Sequence, residues 1–227
     1  RFSDAITPGT CPQGRVLTRT WTATDACGQS QSCDQVISVI DGLAPTVNCP
    51  ADVTVACDAS TDPGATGIAT ATDHCDPSPV VSYADVRGSG ACVGAAVVTR
   101  TWTARDACGN ARSCDQVITL LDTLPPVVNC PANVTIECSQ PTAPSATGVA
   151  TATDNCDANP SVTFSDATVA GACPQGQVIT RTWTATDSCG NASGCQQTIS
   201  VVDRTPPVVT CPADVVLDCG AATDPSA

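Results

Sequence analysis

The chain has 227 residues, a formal net charge of −13 and 17 cysteines, and its nine basic residues are all arginine. So acidic a surface repels a phosphate backbone and excludes nucleic acid as a partner, and no apolar run of about 18 residues is present to span a membrane. With no CxxC pair and a single histidine, the cysteines argue for disulfides in an oxidising, extracytoplasmic compartment rather than for zinc.

Internal repetition organises everything else. Trp21, Trp102 and Trp183 are spaced by 81 residues, as are Cys49, Cys130 and Cys211. The tryptophan segments read TRTWTATDACG, TRTWTARDACG and TRTWTATDSCG; the others read CPADVTVAC, CPANVTIEC and CPADVVLDC. Residues 1–43 are the C-terminal part of a repeat, 44–124 and 125–205 are complete repeats, and 206–227 begin a further one. Three periods would need 16 more residues, which would hold an eighteenth cysteine. The odd count is thus expected to reflect a truncated unit, with further repeats on both sides.

In the leading part, Phe2 and Trp21 occupy the two aromatic positions of the repeat, taken later by Tyr83 and Trp102 and by Phe164 and Trp183. Within 44–124 the composition is rich in Val, Thr and Ile and broken by Gly, Pro, Asn and Asp, which predicts strands and turns. Strands are expected at 53–55, 66–73, 80–86, 97–106 and 114–122, with no helical periodicity. Ala44-Pro45, Leu124-Pro125-Pro126 and Thr205-Pro206-Pro207 punctuate the units as short stiff linkers. The fold expected is all-β, a tandem array of disulfide-stapled antiparallel β-sandwich repeats. Two aromatics per unit make a thin core, and disulfides, at about 2–4 kcal/mol each, would supplement it.

Six cysteines per unit allow 15 pairings, which spacing alone does not decide. If strands alternate in direction across a sandwich, the ends at Cys75 and Cys108 share a pole, Cys49 and Cys114 open strands there, and Cys57 and Cys92 remain. The expected set is Cys49–Cys114, Cys75–Cys108 and Cys57–Cys92, with Cys130–Cys195, Cys156–Cys189 and Cys138–Cys173 in the next unit. A local set, Cys49–Cys57, Cys75–Cys92 and Cys108–Cys114, stays open beside it.

CPADVTVAC, TATDHCD, TRTWTARDACGN and VITLLDTLPP resemble the HYR (hyalin repeat) family and its bacterial immunoglobulin-like relatives, over the whole chain. The resemblance implies immunoglobulin-like modules strung in tandem in extracellular and cell-surface proteins, with a role in adhesion, spacing or fibre formation. It carries over no catalytic residue. Cys92 and Cys108 are additions to the animal-type pattern.

The residues themselves give little to an enzyme. His74, the only candidate general base, is replaced by Asn155 in the next repeat, and repeat-patterned cysteines are expected to be bonded rather than nucleophilic. Calcium is the strongest site expectation, because hard cations take several carboxylate and carbonyl oxygens. Asp41, Asp73, Asp76 and Asp106 converge on one junction and Asp122, Asp154, Asp157 and Asp187 on the next; the competing reading is solvated or turn-capping aspartate. No cofactor is required. Arg19, Arg100 and Arg181 are expected to stack on the tryptophan two residues on or to pair with Asp4, Asp85 or Asp166. Asn133-Val134-Thr135 and Asn191-Ala192-Ser193 match the N-glycosylation pattern. The function expected is a structural component of an extracellular fibre or cell-surface stalk, its partners being further copies of the repeat. The alternative is an adhesin that binds carbohydrate or protein through its loops.

Overall fold

The computed structural model describes residues 1–171, 174–217 and 219. The chain divides into two compact units. The first comprises Arg1–Asn129, Ala150–Thr163 and Thr184–Cys195; the second comprises Cys130–Val149, Phe164–Trp183 and Gln196–Ala227. Among the described residues the fold is all-β, broken only by two single helical turns.

The leading segment forms one antiparallel sheet, β1 (Phe2–Pro8), β2 (Arg15–Thr24) and β3 (Ser30–Val39). The next elements are β4 (Thr46–Asn48), β5 (Val53–Ala56), a single helical turn α1 (Pro63–Thr66), β6 (Thr70–Thr72), β7 (Val80–Ser89), β8 (Ala96–Arg105) and β9 (Ala111–Leu121). They build a four-stranded sheet in the order β5-β9-β8-β7 and a two-stranded sheet of β4 and β6. The same series recurs with every start 81 positions later: β10 (Val127–Asn129), β11 (Val134–Glu137), α2 (Pro144–Thr147), β12 (Thr151–Thr153), β13 (Ser161–Ala170), β14 (Gln177–Thr186) and β15 (Ala192–Val202). Its sheets run β11-β15-β14-β13 and β10-β12.

The structure departs from the expected strands in two ways. The sandwich is not wholly antiparallel: β5 pairs parallel with β9, and β11 with β15. The chain changes sheet between β4 and β5 at Pro50, which has no N–H to donate to a ladder. β4 therefore pairs antiparallel with β6, while β5 lies along the last strand. The strand expected from 66 is also shortened. Pro63 starts a helical turn, Thr66 Oγ1 donates back to the Asp62 carbonyl at 3.1 Å, and Gly67 exits at φ +106°, with space for a Cβ closed by Pro50 at 2.7 Å. Only glycine tolerates both conditions.

The core is small and part polar. Alternate residues of β8 point inward, so that Ala96, Val98, Arg100, Trp102 and Ala104 are buried. Ala96, Val98, Ile118 and Leu120 form its apolar cluster, with Val53 and Val55 packed against it. Beside them Arg100, 1% exposed, donates from Nε and Nη2 to both oxygens of Asp85 at 2.7 and 2.8 Å. It also reaches Thr66 Oγ1 and the Thr61 carbonyl. Its guanidinium lies 4.5 Å from the Tyr83 ring centre and 5.7 Å from that of Trp102. Arg100 thus pairs and stacks at once, and the nearer ring is tyrosine rather than the expected tryptophan. Buried Gln116 donates to the carbonyls of Ala51 and Thr66. Arg181 and Gln197 repeat these contacts with Asp166, Thr147, Thr142 and Ala132.

Candidate functional site

The junctions between sequence repeats carry the concentrated chemistry. Pro45 and Pro126 are fully buried there, so the junction prolines are packed rather than merely spacing. The loop before β8 closes with Gly90 N–H to the Ala95 carbonyl and Ala95 N–H to the Cys92 carbonyl, which presents Cys92 at its tip. Asp187 holds the turn after β14, accepting from the N–H groups of Cys189 and Asn191 at 2.9 and 2.8 Å.

These loops meet through covalent bonds. Cys57 is bonded to Cys156, and Cys92 to Cys189. Both bonds join residues of 44–124 to residues of 125–205, inside the first compact unit. Cys11 is bonded to Cys108 in the same way, from the leading segment into 44–124. A bond also joins Cys49 to Cys114 within one repeat, and Cys130 and Cys195, 81 positions on, are disulfide-bonded. The expected pairings Cys75–Cys108 and Cys57–Cys92 are therefore corrected, as is Cys156–Cys189, and none of the local set forms. Cys49–Cys114 forms as expected, whereas Cys57, Cys92 and Cys108 each bond to a cysteine of another repeat. Cys138 has no disulfide partner among the described residues, and Cys173 lies outside them.

Non-covalent contacts follow the same path. Ser188 Oγ donates to the Val93 carbonyl at 3.3 Å. A Cβ on Gly94, at φ +87°, would stand 2.7 Å from the Cys156 carbonyl. Asn110 Nδ2 donates to the Asp41 carbonyl, and Asn191 Nδ2 to that of Asp122. Ser193 Oγ donates to the Pro126 carbonyl. Gly94 and Asn110 carry no individual signal in the sequence, and Ser193 stands out there only as part of a glycosylation pattern. The second glycosylation pattern is spent on this contact, while Asn133 is exposed.

The eight aspartates singled out in the sequence separate into two groups. Asp41, Asp73 and Asp106 each place a carboxylate oxygen within 4.8 Å of the others, and Asp122 and Asp154 do so together with the sulfur of Cys156. Asp76 and Asp157 stand outside these clusters. Asp76 accepts from the N–H groups of Ser78 and Ala107, and Asp157 from those of Asn159 and Ser188. Asp187 and its counterpart Asp106 both accept on each oxygen from the turn that follows, Asp187 from Cys189 and Asn191 and Asp106 from Asn110; Asp106 alone also stands within the carboxylate cluster. Burial pushes the Asp106 and Asp187 carboxyls up, but hydrogen bonds from Asn110 and Asn191 and from turn N–H groups outweigh it and hold both below the usual range. Asp157 is held low by the N–H groups of Asn159 and Ser188. Burial, followed by the charges of Asp41, Asp73 and Asp106, raises the Cys75 thiol.

No family model matches the chain. Hyalin of Strongylocentrotus purpuratus is 29% identical over 229 residues, covering 91% of this chain and 18% of hyalin. The chain thus spans about a fifth of that relative and is similar to it along nearly its own whole length. Among solved structures, Drosophila N-cadherin EC1-4 aligns at a TM-score of 0.37 and 14% identity, covering 84% of this chain and 58% of that one. Mouse cadherin-23 EC22-24 aligns at 0.31 and 13%, covering 85% and 75%. Among the described residues no helix is long and apolar enough to cross a membrane. The disulfides point to an extracellular or cell-surface segment.

Proposed function

We propose that the chain is a structural segment of an extracellular fibre or cell-surface stalk, in which each repeat is bonded covalently to the next. The observation that carries this reading is the pair of disulfides, Cys57–Cys156 and Cys92–Cys189, that crosses one junction. A loop-borne ligand reader needs its loops free, and here the loops at Cys92, Cys156 and Cys189 are consumed by repeat-to-repeat bonding. Two bonds across one junction also resist pulling and bending, which a load-bearing array requires and a lone binding module does not.

The partners are further copies of the repeat. Cys75 is the counterpart of Cys156 and Cys138 that of Cys57, so the same bonding rule assigns each of them a cysteine in another repeat. Lateral assembly has a surface as well. β7 is the edge of its sheet, ten residues long, with Val80, Tyr83 and Val86 exposed. A long apolar edge strand is a template for pairing with another chain. No catalytic role is proposed.

Electron microscopy of the native oxidised material tests the reading. Stiff filaments with an axial repeat, softened by reductant, are the expected result. Flexible beads on a string, unchanged in stiffness by reductant, would favour the adhesin stalk and overturn the fibre.

A further inference from the structure

Buried carboxylate oxygens at the two junctions have no hydrogen-bond partner. Asp122 is 4% exposed. Its Oδ1 accepts from the Leu124 N–H, and its Oδ2 is buried with no partner. Asp154 spends Oδ1 on the N–H groups of Cys156 and Asp157 and likewise leaves a buried Oδ2 with none. These two side chains belong to one cluster. At the preceding junction Asp41 repeats the arrangement: Oδ1 accepts from the Leu43 N–H, Oδ2 is buried without a partner, and Asp73 and Asp106 stand beside it.

Like charges gathered this closely away from water are unfavourable unless something neutralises them. Among the described residues no arginine pairs with these carboxylates; the salt bridges of Arg19, Arg100 and Arg181 lie elsewhere. The Cys156 sulfur is committed to Cys57, which leaves an oxygen-only donor set and disfavours soft metals. Calcium binds oxygens at 2.3–2.6 Å, so two oxygens on one ion can stand up to about 5.2 Å apart, and the clusters fall within that span. We propose that each junction binds one calcium ion, at Asp41, Asp73 and Asp106 and at Asp122 and Asp154, with water completing the shell. In each case an aspartate at the end of one repeat and aspartate from the loops of the next hold the same ion. The proposal stands whether the array serves as fibre or stalk.

Calorimetric titration of calcium into the chelator-treated, oxidised chain tests it. The expected stoichiometry is two ions per chain. Asp122→Asn should lower it to one, and Asp41→Asn with Asp122→Asn should abolish binding. Melting in chelator keeps misfolding apart from lost binding: the asparagine variants, relieved of a buried charge, should melt no lower than the parent yet gain nothing from calcium. No heat and no calcium-induced rise in melting temperature up to about 10 mM, beyond the weak end of extracellular calcium modules, would overturn it. An unchanged stoichiometry in the variants would overturn the assignment equally.

Discussion

Replacing Cys57 and Cys156 together by serine removes one covalent crossing and leaves Cys92–Cys189 in place. The bond spans 99 residues of sequence. The shorter path runs from Cys57 back to Cys49, across its bond to Cys114 and on to Cys156, a loop of about 50 residues. Closing a loop of that size in the unfolded chain costs about 4 kcal/mol in the chain-entropy treatment, and the logarithm makes the result insensitive to which path is taken. Its removal should destabilise the oxidised protein by about that amount. For a chain of 227 residues this lowers the melting temperature by roughly 8–16 °C. Scanning calorimetry of parent and double variant, both oxidised, reads it directly. A shift below about 2 °C, with the remaining disulfides mapped intact, would refute the reasoning, because a bond that does not cross-link the unfolded chain has no such effect.

Three further outcomes follow from the core. Arg100→Ala should cost about 3 kcal/mol in denaturant unfolding, since it strands Asp85 and the Thr61 carbonyl; Asp85 keeps 32% exposure, so water recovers part of the loss. Gly67→Ala should cost more than 1 kcal/mol through its positive φ and the approach of Pro50, whereas Gly64→Ala, with open space around it, should be close to neutral. In acid, the Arg100 and Arg181 hydrogen bonds hold Asp85 and Asp166 below the ordinary carboxylate range. A depressed folded value contributes stability above the unfolded value near pH 4, lost as pH falls through the folded value. Tryptophan fluorescence should therefore report weakening below about pH 4, and Asp85→Asn with Asp166→Asn should flatten that dependence.

The strands were legible because β-branched runs bounded by glycine and proline leave few alternatives, and β7, β8 and β9 lie within a few residues of the expected spans. The parallel pairing of β5 was not, because it depends on a change of sheet at Pro50 that local patterning does not express. Arg100 was read as structural from its spacing to Trp102, yet its reach to Thr61 and Thr66 depends on the helical turn at Pro63, a four-residue element too short to show a period. At the junctions, the recurring aspartates are brought together only in part, Asp41 with Asp73 and Asp106 and Asp122 with Asp154. What separates Asp41 and Asp73 from Asp76 is which oxygens the turns consume, and that is decided by backbone geometry. Cys49–Cys114 closes within its repeat as expected, but the pairings of Cys57, Cys92 and Cys108 differ for a related reason: a repeat considered alone closes on itself, whereas here these three bond to another repeat.

The most direct test of the account is disulfide mapping by mass spectrometry of the oxidised chain, digested under non-reducing conditions with free thiols blocked. Linked peptides joining Cys11 to Cys108, Cys57 to Cys156 and Cys92 to Cys189 are the predicted result. Links joining Cys57 to Cys92 and Cys75 to Cys108, each closed within one repeat, would contradict it.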